Sequence, residues 1–182
     1  IRRPPISTLF PYTTLFRSYA GEVFVMQNVV NHLVCRAGWM MGGGPKKDKK
    51  FVQKIFSQLK ERKKELFIVD DKLGTPTYTH DFAKNVKLLL EKEYWGLYNM
   101  VCAGITGRYE VATELVNILG LSDVIKITPV SSDYWKEEYF ADRPPSERLI
   151  DKKLNLRGVN IMRDWKICLK EYVEEYYQGY LS

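Results

Sequence analysis

Histidine is scarce in this chain: there are two, His32 and His80, alongside three cysteines, Cys35, Cys102 and Cys168. None of them sits at the short spacings from other ligating residues that build a zinc or iron site, so the sequence points to no metal centre. Three widely spaced thiols also exclude a disulfide framework and suit buried or bystander thiols in a reducing compartment. No apolar run approaches the roughly 18 residues a membrane helix needs, and a cytoplasmic protein is expected. No Gly-x-Ser-x-Gly elbow and no Cys–His nucleophile pairing stands out. The one glycine cluster, Gly42-Gly43-Gly44, lacks both the Gly-x-Gly-x-x-Gly layout and a following Lys-Ser/Thr pair, so it reads as a flexible joint and not as a phosphate loop.

What is present begins oddly. Thr8–Ser18 reads TLFPYTTLFRS, which resembles one-frame translation of a sequencing-adapter primer, and Ile1–Ser7 belongs with it. Such a segment is set aside in fold reasoning; residues 1–18 are expected to be an unstructured, artefactual leader joined to the C-terminal part of a larger protein. The leader holds Arg2, Arg3 and Arg17 and no acid, so the formal charge of +6 falls to +3 without it. That weak excess removes most of the electrostatic case for a nucleic-acid partner.

From Tyr19 onward the pattern alternates between two periods. Apolar residues at helical spacing predict helices over Gly21–His32, Lys49–Lys63, Thr79–Lys92, Gly107–Leu119 and Arg163–Tyr180. Thr106 is the expected cap of the fourth and Gly120 its stop. Short β-branched or apolar runs predict strands over Leu33–Ala37, Glu65–Val69, Gly96–Cys102 and Lys126–Val130, the last an edge strand because it carries Pro129. Trp39–Pro45 reads as a loop by glycine content, and Ser131–Ser146 as a long polar connection. Strands alternating with helices predict an α/β fold with parallel strands, its internal boundary between Met41 and Lys50.

Five residues are candidates for binding. Trp39 follows a predicted strand, where open α/β sheets place their ligands; it offers either a flat wall to a sugar ring or core packing. Arg36 is the lone charge in that strand and needs a partner. Thr75 and Thr77 lie in a hydroxyl-rich strand-to-helix joint and either contact a ligand or satisfy turn backbone. Arg143 sits in a proline-stiffened loop, where a guanidinium fork fits phosphate oxygens or a surface carboxylate. Lys46, Lys47, Lys49 and Lys50 suit either a diphosphate or a solvated helix start.

Taken together, Tyr19-Ala20-Gly21-Glu22, Cys35-Arg36-Ala37-Gly38-Trp39 and Val69-Asp70-Asp71-Lys72-Leu73-Gly74-Thr75-Pro76-Thr77-Tyr78-Thr79-His80-Asp81-Phe82-Ala83 resemble the dTDP-4-dehydrorhamnose reductases, which are extended short-chain dehydrogenase/reductases. Gly96-Leu97-Tyr98-Asn99, Arg143-Pro144 and Trp165 fall in family order. Lys72 departs from the usual glutamine, and the Gly-Gly-Gly-Pro-Lys-Lys loop from the usual asparagine-bearing one. The resemblance implies the C-terminal part of a Rossmann-like doubly wound parallel sheet, ending over residues 19–45, plus a smaller α/β domain over 46–182 that holds a nucleotide sugar. It implies an intact parent that reduces a 4-keto-6-deoxy nucleotide sugar with NADPH (or NADH), for deoxysugar and polysaccharide biosynthesis. It leaves room for a homodimer and names no membrane or nucleic-acid partner. Epimerases and dehydratases of the same scaffold, and a regulatory subunit such as methionine adenosyltransferase beta, are the alternatives. The family's catalytic Tyr-x-x-x-Lys pair falls on Thr14 and Ser18, so no catalytic residue is carried over, and the chain alone is expected to be inactive and to hold no cofactor. Trp39, Arg36, Thr75, Thr77 and Arg143 are the substrate-binding residues implied.

Overall fold

The computed structural model describes residues 13–135 and 144–181. Arg143 therefore lies outside the described residues. The first element, α1 (Thr13–Asn28), starts earlier than Gly21. Six residues expected to be unstructured leader are thus helical. Once Tyr19 onward is helical, each added residue gains a hydrogen bond without a new nucleation cost.

β1 (Leu33–Ala37) follows, then β2 (Trp39–Met41) and a single-turn α2 (Gly44–Lys47). The segment expected to be a loop is therefore strand and helix. Its strand character comes from a partner 37 residues away, β5 (Pro76–Tyr78), which pairs with it in parallel. α3 (Phe51–Lys60) buries Val52, Ile55, Phe56 and Leu59, the stripe its spacing prescribes. It stops where Arg62 takes a left-handed φ of 60°. β3 (Glu65–Val69) alternates, with Leu66 and Ile68 inward, and pairs in parallel with β8 (Lys126–Val130).

β4 (Leu73–Gly74) pairs antiparallel with β7 (Thr106–Gly107). α4 (Thr79–Glu91) leads to β6 (Gly96–Met100), which pairs in parallel with β1 over its full length. α5 (Arg108–Ile118) opens on Gly107, whose N–H donates to Glu110 Oε2 at 2.8 Å. Thr106, the expected cap, lies instead in β7, with its hydroxyl donating to the Gly107 carbonyl. A 3-10 turn (Ser132–Trp135), a short α6 (Lys152–Leu156) and α7 (Trp165–Tyr176) complete the described chain. Asp164 caps α7 by accepting from the Lys166 N–H at 2.9 Å.

Three of the four strand pairs are parallel, in keeping with the α/β class. Two hydrophobic clusters form. The larger joins α3, β3, α5 and α7, with Phe56 stacked on Tyr177 at a 3.8 Å centroid distance. The smaller gathers Leu89, Tyr98, Met100, Leu154, Val159 and Met162 against Leu33 and Cys35. The chain enters them by turns: Leu33–Cys35, Phe82–Met100 and Leu154–Met162 in the smaller, the intervening and final stretches in the larger, making six passages. A cut at residue 45 does not separate them, because β6 returns to β1.

One ion pair ties the clusters. Asp81, in the first turn of α4 and 2% exposed, accepts a two-pronged bond from Arg163 (Nε to Oδ2 2.9 Å, Nη2 to Oδ1 2.8 Å). Burial works against the charge of Asp81, but the guanidinium and the Cys168 thiol outweigh it and hold its carboxyl below the usual range.

Candidate functional site

The chain turns sharply at the carboxyl end of β1. A Cβ on Gly38 would stand 2.4 Å from the Thr75 carbonyl oxygen, so only glycine permits the crossing. The Gly38 N–H donates to Thr77 Oγ1 and the Trp39 N–H to the Thr75 carbonyl, both at 2.9 Å. Thr75 and Thr77 are buried and fasten the strand that carries Trp39. In this structure they serve the wall and not its surface.

The Trp39 indole lies against Gly74, where an added Cβ would come within 2.2 Å of two ring carbons. Its Nε1–H donates to Glu147 Oε2 at 2.9 Å. Glu147 is itself placed by backbone pairing, its N–H donating to the Leu73 carbonyl at 2.8 Å while the Leu73 N–H donates to Pro145. The Arg108 guanidinium sits 5.4 Å from the indole centre and 5.9 Å from that of Phe51, within cation–π range of both.

These groups line a cleft of about 420 Å³ whose walls also include Met40, Asp48, Lys49, Lys50, Lys54, Pro76 and Val111. Cations outnumber carboxylates in its lining, four (Lys49, Lys50, Lys54, Arg108) to two (Asp48, Glu147). Asp48 is engaged, accepting from the Tyr172 hydroxyl at 2.9 Å and from the Lys50 N–H at 2.8 Å. Among the described residues, Lys49, Lys50, Lys54 and Arg108 have no carboxylate in ion-pair reach. A flat apolar wall faced by unpaired cations is chemistry for a ring linked to an anion. Arg108, Lys54 and Glu147 escape sequence reading. The one available signal was Arg108 itself, a cation at a helix start, where the helix dipole disfavours it.

Arg36 points elsewhere. It pairs with Glu22 of α1 (Nε to Oε2 3.0 Å, Nη2 to Oε2 2.6 Å) and so answers the charge problem of β1 by bracing helix to strand. The structure thus brings Trp39 to the cleft, places Thr75 and Thr77 behind it, and keeps Arg36 out of it.

The glycine cluster does not fit a dinucleotide pyrophosphate. A Cβ on Gly42 would strike Thr79, and one on Gly44 the Tyr176 ring, so these glycines serve close packing. Ser18, at the position of the family lysine, is exposed on α1 and offers no cation. At the far end of β5, His80, Glu171 and Glu175 place ligand atoms within 4.8 Å of one another, although far apart in sequence. Both His80 nitrogens already meet tyrosine hydroxyls, Tyr78 and Tyr176, each at 3.0 Å.

Several known proteins are similar to this chain in sequence or in fold. The spore coat polysaccharide biosynthesis protein SpsK of Bacillus subtilis is 30% identical over 155 residues, covering 85% of this chain and 51% of that protein. The dTDP-4-dehydrorhamnose reductase of Yersinia enterocolitica superposes with a TM-score of 0.76 at 30% identity, covering 87% of this chain and 54% of that one. The dTDP-4-dehydrorhamnose reductase of Bacillus anthracis, solved in complex with NADP, gives a TM-score of 0.74 at 27% identity, with 86% and 52% covered. The chain spans about half the length of these relatives. Residues 14–178 match the model of the RmlD substrate binding domain, and the chain belongs to that family.

Proposed function

We infer that this chain supplies the nucleotide-sugar-binding half of an NADPH-dependent reductase acting on a 4-keto-6-deoxy nucleotide sugar, in deoxysugar and polysaccharide biosynthesis. The observation that carries this reading is the Trp39 cleft, an indole wall fixed by Gly74 and Glu147 and faced by four cations that pair with no carboxylate among the described residues. Its place at the carboxyl end of a parallel strand is where α/β folds present ligands. The likeness to dTDP-4-dehydrorhamnose reductases, one of them in complex with NADP, supports the substrate class and the cofactor of the intact enzyme.

Within this reading the part that serves the cofactor comprises β1, α4, β6 and α6, and the sugar part comprises α3, β3, α5 and α7, two interleaved bodies. Trp39 forms the sugar wall, Thr75 and Thr77 hold it in register, Arg36 braces β1, and Arg143 approaches the substrate. NADPH itself supplies the hydride in the intact enzyme. This chain contributes binding and orientation, because the Thr14 hydroxyl is far too weak an acid to replace a tyrosine and the Ser18 hydroxyl carries no charge to replace a lysine cation. No helix among the described residues is long and apolar enough to cross a membrane, and the reading places the enzyme in the cytoplasm.

The test has two arms. Calorimetric titration of the 182-residue chain with dTDP-rhamnose should give one binding site, with no NADPH oxidation on adding the keto sugar. Replacing residues 1–18 with the N-terminal half of a relative that retains the Tyr-x-x-x-Lys pair should restore NADPH consumption. A folded fusion that leaves NADPH untouched, or a chain that ignores the nucleotide sugar, would overturn the reading. Tightly held NAD with no net consumption would point to an epimerase instead.

A further inference from the structure

The Trp39 cleft does not end at its cationic wall. A second hollow of about 130 Å³ lies beyond it, walled by Phe67, Val69 and Trp135 among others. Three residues line both spaces: Phe51, Lys54 and Arg108. They form the neck between the two, one aromatic ring with the Arg108 guanidinium over it and the Lys54 ammonium beside them. The second hollow is aromatic in its own right, with Phe67 stacked on Tyr134 at 5.5 Å and Tyr134 edge-on to Trp135 at 5.0 Å.

Arg108 is held at this neck by ring faces, and among the described residues no carboxylate pairs with it. The guanidinium lies over Trp39 and Phe51, an arrangement that leaves its in-plane N–H donors without an acidic acceptor. It also occupies the first position of α5, where the positive end of the helix dipole opposes a cation. An anion at the neck would relieve both the unused donors and that repulsion.

We propose that Arg108 and Lys54 are the diphosphate-binding residues of this chain, and that the neck they form divides the ligand into a sugar in the Trp39 cleft and a base in the Phe67–Trp135 hollow. The assignment rests on the nucleotide-sugar reading above and extends it to named residues and a polarity. A diphosphate is the central part of such a ligand, and the only place where the two hollows share walls is the cationic one. Planar guanidinium recognition of phosphate oxygens is directional, so lysine at position 108 should replace arginine incompletely.

The experiment compares two probes on the full chain: thymidine 5′-diphosphate by calorimetry, and thymidine by NMR chemical-shift titration, which reads millimolar affinities. Arg108→Gln should weaken the diphosphate roughly tenfold to a hundredfold, as loss of a charged hydrogen bond would, and shift thymidine by less than about twofold. Arg108→Lys should recover only part of the loss. Lys54 stands exposed on α3, so Lys54→Gln folds independently of the Arg108 stack; it should show the same selectivity at roughly threefold to tenfold. Unchanged diphosphate affinity in both glutamine variants, or equal losses for both probes, would overturn the assignment while leaving the substrate class standing. A wild-type chain that binds neither probe would remove the nucleotide-sugar reading and the neck with it.

Discussion

Gly74→Ala probes the site most directly, because a single methyl group strikes the one side chain on which the cleft depends. The new Cβ would stand 2.2 Å from Trp39 Cε2 and Cζ2 and 2.7 Å from Cη2. Carbon atoms rest comfortably at about 3.5–4.0 Å, so the indole must retreat by roughly 1.5 Å. It has little freedom to do so, since its N–H is bonded to Thr75 and its Nε1–H to Glu147, each at 2.9 Å. A shift of that size takes the Glu147 bond past the distance at which it counts as one. Overpacking costs about 1–3 kcal/mol, and loss of a hydrogen bond to a charged acceptor about 1.5–3 kcal/mol. Glu147 is only half-buried and regains water, and alanine stiffens the unfolded chain by about 0.4–1 kcal/mol in the opposite sense. The net expectation is a destabilisation of about 2–4 kcal/mol. Urea unfolding followed by tryptophan fluorescence reads it, and the affinity for dTDP-rhamnose should fall at least about tenfold. A variant within about 0.5 kcal/mol of the parent, with the same affinity, would refute the claim that Gly74 seats the indole.

Three other perturbations follow from the same contacts. In the reconstituted enzyme Trp39→Ala should cost on the order of 1–3 kcal/mol in kcat/KM; an unchanged specificity constant would make Trp39 a packing residue. Asp81→Asn leaves Arg163 facing an amide in a buried setting, although Arg163 keeps Glu171 at 2.6 Å. Urea midpoints should show a loss of about 2–4 kcal/mol, and a double-mutant cycle with Arg163→Met should show coupling above about 0.5 kcal/mol. Asp151 is pushed up to about 6 by burial, although it accepts from the Val101 N–H. The unfolded chain releases that proton near pH 3.9, so the contribution of Asp151 to stability should be full below about pH 4, decline as pH rises to about 6, and be absent above, opposite in sign to that of Asp81. The span is about 1–2 kcal/mol once partial solvent access is allowed for. Asp151→Asn should flatten that slope; an unaltered pH profile would assign it to another group.

The long helices were legible because their stripes repeat over several turns. Val52, Ile55, Phe56 and Leu59 bury as spaced, and Thr79 opens α4 where the pattern begins. β1, β3, β6 and β8 were legible as short apolar runs. The strand at Trp39–Met41 was not, because three residues beside three glycines carry no period, and their extended state depends on Pro76–Tyr78. α6, five residues long, is set by Leu154 entering the smaller cluster and not by local propensity. Trp39 lines a cleft, the place that its position after a strand suggests. The role of Thr77 did not follow from its type, since a hydroxyl that accepts from Gly38 and one that faces a ligand look alike in sequence. Glu147 reaches Trp39 across 108 positions, a distance over which sequence alone offers no guide.

The lacing of the chain through its two cores governs how the family can be re-engineered. No single cut frees the Trp39 cleft as a portable cassette, because its walls come from residues 38–54, Pro76, Arg108, Val111 and Glu147, with the thread visiting the other core in between. Chimeras that trade one contiguous block between relatives would mate a foreign indole with a native carboxylate, or the reverse. Transplanting ligand preference therefore demands two exchanges made together, one on each side of the return.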